Sequence, residues 1–217
     1  MNKEHFLLRL CWVTKRAVFG NRYRQLFKTI RKNKPTHILE IGTWNGNNAV
    51  KMLQAAAKSN PGATIHYYGF DLFQDMTEDV YAAEISKRPP SLEEVKKILL
   101  KTGNEINLFK GDTNITLPEV LPTLPPVDFI FIDGGHSVST ITNDWNNISR
   151  YISNKSIVIF DDYWKNRPKE GCKPILDALD PQQYTVQILP IVDKYFNRDF
   201  GKLFIALATV QKTGELI

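Results

Sequence analysis

The stretch Val127-Asp128-Phe129-Ile130-Phe131-Ile132-Asp133-Gly134-Gly135-His136 decides the fold. Residues 129–132 are a short apolar run with Pro125-Pro126 before it and Gly134-Gly135 after it. A strand buried on both faces of a parallel sheet reads this way. The apolar character then stops, and Asp133 and His136 follow, separated by two glycines that let the backbone turn tightly. Ligands of open α/β sheets sit beyond the carboxyl ends of the strands, so these polar residues are site candidates. On these residues alone a second reading stays open: Asp133 caps nearby N–H groups and His136 opens a helix.

Working outward, the chain after Pro35 alternates. Strands are expected at 38–41, 64–70, 106–109, 129–132 and 156–160. Helices are expected at 47–57, near 117–121, at 138–151 and at 174–179. Repeated βα units of this kind give an α/β fold, a doubly wound, mostly parallel sheet with helices on both faces. The chain closes with 184–189 and 203–210, read as an antiparallel strand pair at the sheet edge with a loop at 193–202 between them. A long charged insert, 73–103, interrupts the alternation. Pro89-Pro90 splits it, and Ser91 with Glu94 has the spacing of a helix capping box. At the functional edge of a sheet such an insert reads as a lid or as a surface excursion.

Composition sets the frame. The chain has 217 residues, 42% of them hydrophobic, enough for one substantial core. Cys11 and Cys172 are its two cysteines. They lie far apart without CxxC or Cys/His spacing, which argues against a zinc or disulfide framework and fits a reducing compartment. No apolar run approaches the roughly 20 residues of a membrane span. The N-terminus, interrupted by Arg9, Lys15 and Arg16, does not resemble a signal peptide, so a cytoplasmic location is expected.

Charge is uneven. Residues 1–34 carry ten Lys/Arg against the single acid Glu4, a net +9, which leaves −4 for residues 35–217 of a chain whose total is +5. The same segment has apolar residues at helical spacing, Phe6, Leu7, Leu10 and Val13, then Tyr23, Phe27 and Ile30, divided at Gly20-Asn21. We read 1–34 as a basic N-terminal helical extension of a domain spanning 35–217. Its two helices are expected to pack against the sheet or a second subunit of a homo-oligomer, with the basic face in solvent. An acidic membrane surface, RNA or a phosphorylated substrate are the sharper readings.

The strand tips carry the chemistry. The first strand ends in Glu40-Ile41-Gly42-Thr43-Trp44-Asn45-Gly46, a glycine-bearing turn that lets a ligand approach the backbone with a helix N-terminus behind it. A carboxylate two residues before Gly42 repels a pyrophosphate and suits a cationic ligand end. A plain βα turn is the alternative. The second strand ends at Asp71, placed for ribose hydroxyls. The third ends in Lys110-Gly111-Asp112-Thr113, and the fifth in Phe160-Asp161-Asp162-Tyr163.

Together, Glu40-x-Gly42-x-x-x-Gly46, Asp71, Gly111-Asp112-Thr113 and Val127-Asp128 through Asp133 resemble the class I S-adenosylmethionine-dependent methyltransferases. The resemblance covers about 36–210. Ile132-Asp133-Gly134-Gly135-His136 with Phe160-Asp161-Asp162-Tyr163 is similar to the metal-dependent O-methyltransferases related to macrocin O-methyltransferase, and more distantly to catechol O-methyltransferase. The resemblance implies a Rossmann-like methyltransferase sheet. Glu40, Gly42 and Gly46 would hold the methionine side of S-adenosyl-L-methionine, Asp71 the ribose, and Asp112 and Thr113 the adenine. Thr43 and Asp133 are further expected cofactor contacts, and Trp44, inside the first turn, is a candidate added from its position and not from the resemblance. Asp133, Asp161 and Asp162 would bind Mg²⁺, and His136, with Asp133, would be catalytic, as the general base. In the catechol enzyme the third metal ligand is an amide; here it would be Asp162.

The physical reading agrees with the resemblance. Three carboxylates at one sheet edge are hard oxygen donors that suit Mg²⁺ rather than zinc. Without a cation they would repel and rise in pKa. The expected activity is Mg²⁺-dependent methylation of a hydroxyl on a small molecule, a sugar or natural-product scaffold, with 73–103 and 193–202 choosing the substrate. A hydroxylase-like relative using the same metal and cofactor, and an RNA methyltransferase guided by the basic N-terminus, are the alternatives. Nucleic acid is disfavoured because no Asn/Asp-Pro-Pro-aromatic motif follows the fourth strand.

Overall fold

Strand alternation divides the apolar residues between two faces of one sheet, and that division places every helix. The computed structural model describes residues 22–84, 87–197 and 201–214. Its strands are β1 (His37–Ile41), β2 (His66–Asp71), β3 (Glu105–Lys110), β4 (Phe129–Ile132), β5 (Ile157–Trp164), β6 (Tyr184–Asn197) and β7 (Gly201–Lys212). They form one sheet in the order β3-β2-β1-β4-β5-β7-β6. The first five strands run parallel, while β7 pairs antiparallel with both β5 and β6. The expected mostly parallel sheet with an antiparallel terminal pair is therefore observed. Strand order reverses between β2-β1 and β4, which opens the crevice used by ligands in such sheets.

Successive strand residues point to opposite faces. Ile38, Phe129, Phe131 and Ile159 pack against helices α1 (Tyr23–Asn33) and α2 (Asn47–Ser59). Leu39, Ile41, Ile130, Ile132 and Phe160 pack on the opposite face. There they meet Leu117, Trp145 and Leu176, which come from three further helices in the second half of the chain. Burying each such side chain contributes about 1.5–3 kcal/mol before chain entropy is set against it.

Helix α1 buries Leu26 and Ile30 and leaves Arg24, Lys28, Arg31 and Lys32 exposed, which is the expected packing. Arg22, at its N-cap, departs from that pattern: it is buried. The helix expected before Gly20 lies outside the described residues. Among the described residues no helix is long and apolar enough to cross a membrane.

The insert divides in two. After a 3₁₀ turn at Phe73–Asp75 come α3 (Glu78–Ala83) and α4 (Leu92–Leu100). The Ser91–Glu94 capping box is present and starts α4. That helix buries Val95 and Leu99 in the core beside α2, so the second half of the insert is structural. Helix α3 buries none of its own residues. The remaining helices are α5 (Thr113–Val120), α6 (Val138–Ile148) and α7 (Lys173–Asp177). The loop expected at 193–202 is corrected: β6 continues to Asn197 and β7 starts at Gly201, with Asp193 opposite Ile205 and Asn197 opposite Gly201. Its polar residues alternate as a strand does, Asp193 buried and Lys194 exposed.

Leu99→Ala should destabilise the whole domain by about 2–5 kcal/mol in urea unfolding, whereas Ile98→Ala on the exposed side of the same helix should cost less than about 1 kcal/mol. Equal, small effects from both would mean that the insert is not part of the core.

Candidate active site

The glycine turn after β1 is held by close backbone approach. Gly42 has φ +90°, and a Cβ there would lie 2.1 Å from the carbonyl oxygen of Asp133. Only glycine lets the β1 turn lie against the end of β4. Its N–H donates to the Phe70 carbonyl at 2.8 Å. Gly46 caps α2 with φ +73°, against Val95 and Leu99. Glu40, 1% exposed, accepts a hydrogen bond from the Tyr67 hydroxyl, which lies 3.3 Å from the Thr43 hydroxyl. The carboxylate thus supports the turn from beneath.

Asp71 joins turn and second strand. One of its oxygens accepts from the Trp44 N–H at 2.7 Å and the other from the Phe73 N–H at 2.8 Å. The Leu72 N–H is a third backbone donor to this carboxylate, and its four lone-pair positions still leave capacity for a further donor. Trp44 itself has φ +45° and is partly exposed, its indole N–H donating to the Arg88 carbonyl. Asp112 caps α5 by accepting from the Asn114 N–H at 2.8 Å, with Thr113 opening the helix.

Asp161 and Asp162 lie at an irregularity where β5 and β7 change register between Phe160 and Tyr163. A bulge re-aims side chains that strict alternation would send to opposite faces. Asp162 takes the left-handed conformation, φ +55°, which aspartate tolerates better than most residues. Gly171 makes room behind it, since a Cβ there would lie 2.1 Å from the Asp162 carbonyl oxygen.

Asp133 and Asp161 share one partner. The Tyr23 hydroxyl lies 2.7 Å from an Asp161 oxygen and 3.3 Å from an Asp133 oxygen. Arg22 lies beside it, its Nε and Nη2 each 2.6 Å from one Asp161 oxygen. Its Nη1 donates to Asp193 at 3.0 Å and to the Tyr195 hydroxyl at 2.9 Å. The side chains of Arg22 and Asp161 are 7% and 1% exposed.

His136 faces the same cluster from the other side. Its Nδ1 lies 2.6 Å from the Glu84 carbonyl oxygen and its Nε2 3.4 Å from Asp162. A carbonyl can only accept, so Nδ1 carries a proton and Nε2 is the nitrogen left to gain or lose one. The Glu84 carboxylate, just after α3, accepts from the His136 and Ser137 N–H groups and from the Ser137 and Thr140 hydroxyls. The first half of the insert is thereby latched to the loop after β4.

Three segments that sequence patterns keep apart, the β1 turn, the β4 end and the β5 bulge, thus meet at the crevice. Residues 39–163, more than half of the chain, match the methyltransferase-domain family. The chain belongs to that family. A curated relative, an uncharacterized protein of Acanthamoeba polyphaga mimivirus, is 28% identical over 83 residues, covering 36% of this chain and 38% of its own length. The chain also shares its fold with solved structures of low identity. An O-methyltransferase of Bacillus cereus in complex with SAH is 15% identical, with TM-score 0.58 over 95% of this chain and 90% of that one. The O-methyltransferase of tomaymycin synthesis from Streptomyces achromogenes, in complex with SAM, is 16% identical, with TM-score 0.57 over 88% and 79%. An rRNA methylase of Streptococcus thermophilus is 12% identical, with TM-score 0.61 over 89% and 98%.

The electrostatics of this site follow from its burial. Asp133 is pushed well above the ordinary carboxylate range by burial and then by the charges of Asp161 and Asp162. Burial works against the charged form of Asp161 too, but the Arg22 guanidinium and its hydrogen bonds outweigh it and hold that carboxyl below its usual value. Asp162 is raised by burial, with His136 opposing, and His136 is raised chiefly by Asp162. Sequence patterns missed Arg22, Tyr23, Asp193 and Glu84. The one signal that could have marked Arg22 is its position outside the apolar-and-basic repeat of α1.

Burial lifts Glu40 to about 8, partly offset by the Tyr67 hydrogen bond. The unfolded chain releases this proton near the ordinary glutamate value of about 4.3, while the folded chain keeps it. Stability of the unliganded protein should therefore fall as pH rises from about 4.3 to about 8. Urea unfolding across that window should show the decline, and Glu40→Gln should reduce its slope, leaving the share of Asp144, which burial lifts to about 7; an undiminished slope in the variant would assign the effect elsewhere.

Proposed function

We propose that this methyltransferase moves the methyl group of S-adenosyl-L-methionine to a hydroxyl oxygen of a small molecule, a sugar or natural-product scaffold. The observation that carries the reading is the seating of the Gly42 turn against Asp133, with Asp71 bonded across to Trp44. Cofactor turn, ribose carboxylate and acceptor-side acid are thereby neighbours at one crevice. In this reading Gly42, Thr43, Trp44 and Gly46 wall the methionine portion, with Glu40 acting on them through Tyr67. Asp71 takes the ribose hydroxyls through its spare lone pairs, and Asp112 and Thr113 flank the adenine. The SAH and SAM complexes of the Bacillus and Streptomyces O-methyltransferases support the cofactor and the class of acceptor.

The acceptor oxygen attacks the sulfonium methyl carbon in line. The C–S bond breaks, its electron pair stays on sulfur, and the hydroxyl proton leaves to a base. His136 suits that role, because Nδ1 is occupied by Glu84 and Nε2 faces the site. Holding donor and acceptor in line supplies much of the remaining acceleration.

Mg²⁺, which the sequence resemblance implies, is a separate matter. The donor chemistry of Asp133, Asp161 and Asp162 is suitable. As folded, however, the set does not fit the ion, because both Asp161 oxygens accept from Arg22 and one also from Tyr23. Among the described residues no group of three or more His, Cys, Asp or Glu side chains could hold a metal.

Calorimetry should detect stoichiometric binding of S-adenosylhomocysteine, weakened at least about tenfold by Asp71→Ala; unchanged affinity in that variant would remove Asp71 from the ribose site. Labelled methyl transfer across a panel of hydroxylated compounds tests the reaction, and no transfer to any oxygen acceptor would count against it. His136→Ala should lower kcat by about 10²–10⁴ while leaving S-adenosylhomocysteine affinity nearly unchanged. Full kcat in that variant would exclude His136 as the base.

A further inference from the structure

We infer that Arg22 is a built-in cation standing where a divalent metal would be bound, so that this chain transfers methyl groups without one. The inference rests on the methyltransferase reading and adds to it how the acceptor-side carboxylates are neutralised.

The hydrogen-bonding of Arg22 is complete. A guanidinium has five N–H donors in a rigid fork, and each has a partner here. Nε and Nη2 form a bidentate pair with Asp161, both at 2.6 Å. Nη2 also reaches the Tyr23 hydroxyl at 3.2 Å, and Nη1 reaches Asp193 at 3.0 Å and the Tyr195 hydroxyl at 2.9 Å. The Arg22 backbone N–H donates to the same Asp193 carboxylate, 3.2 Å from each oxygen. This arrangement differs from a surface arginine folded over an acidic patch. Partners on α1, β5 and β6 hold it, and it is nearly excluded from solvent.

Both parties to a metal site are already engaged. A divalent ion would need a lone pair from Asp161, whose oxygens take a bidentate guanidinium and a tyrosine hydroxyl. Driving Arg22 out would leave the Asp193 carboxylate buried without its cation. Removing one partner of a buried pair is strongly unfavourable. The same arrangement leaves Tyr23 bridging Asp161 and Asp133, which makes Arg22 and Tyr23 positioning residues for Asp133, while proton removal falls to His136.

The test is metal binding to the full chain, read by Mn²⁺ paramagnetic resonance and by calorimetry after chelator treatment. Wild-type protein should bind no stoichiometric Mn²⁺ at this site. Arg22→Gln, which removes the charge at similar size, should gain one site with affinity at least about tenfold above wild type, and adding Asp161→Asn should abolish it. One Mn²⁺ per wild-type chain, lost in Asp161→Asn, would overturn the inference whether or not Arg22→Gln folds. If neither wild type nor folded Arg22→Gln binds Mn²⁺, the cluster is no metal place at all and the inference also falls. In the labelled-methyl assay, chelator should leave wild-type turnover within about twofold, and loss of activity restored by Mg²⁺ would overturn it. S-adenosylhomocysteine binding, measured alongside, distinguishes this failure from failure of the methyltransferase reading, since only the latter would abolish it.

Discussion

Carboxylates gathered from the end of β4, the β5 irregularity and the body of β6 are the constraint on which the functional edge depends. Asp133, Asp161, Asp162 and Asp193 converge there, and charges of one sign cannot share a dry site without protonation or a counter-charge. The structure uses both remedies. Asp133 rises and favours its proton, while Arg22 holds Asp161 ionised. His136 and Asp162 form a second pair, each raising the other's charged state against the cost of burial. Two cations are thus set among four acids, one permanent and one able to titrate.

Several features of the fold make sense as means of delivering those charges. Helix α1 uses Leu26 and Ile30 to anchor itself on the sheet, and that anchorage brings its N-cap residue to the strand tips. The length of β6, which runs to Asn197, brings Asp193 and Tyr195 to Arg22. The β5 irregularity and Gly171 allow Asp161 and Asp162 to serve different partners although they are adjacent in sequence. On the far side, Glu84 fixes His136 by its carbonyl and the surrounding loop by its carboxylate. The first half of the insert therefore also sets the tautomer of the base candidate through this contact.

Much of the sheet was legible because burial on both faces writes a simple pattern. Runs such as Phe129–Ile132 have no polar alternative, and Gly42, Asp71 and Asp133 fall at strand ends where turns must occur. What escaped were residues whose partners are far away in sequence. Asp193 looks like loop because a buried aspartate is costly unless paired, and its pair is 171 residues distant. Arg22 looks like one more member of a solvated basic segment for the same reason: net charge records the sign of a residue and not its partner. Val95 and Leu99 sit in a charged insert whose composition suggests a surface excursion, yet their spacing on one helix face puts them in the core. Local patterns report what one element needs. Pairing across elements is where they fall silent.

A guanidinium and a divalent ion solve the same charge problem with different chemical consequences. The ion offers open coordination positions to an acceptor oxygen and lowers its pKa directly. A guanidinium whose donors are all committed neutralises the acids but has no bond left for the acceptor. It also cannot be lost by dilution or chelation, and its planar fork fixes Asp161 in one orientation. In the proposed reaction the acceptor's proton then passes to the group that still has capacity, Nε2 of His136, while Tyr23 positions Asp133. In that proposal the site relies on preorganised proton acceptance rather than on Lewis acidity. The burial that makes Arg22 expensive to remove is what keeps that arrangement in register.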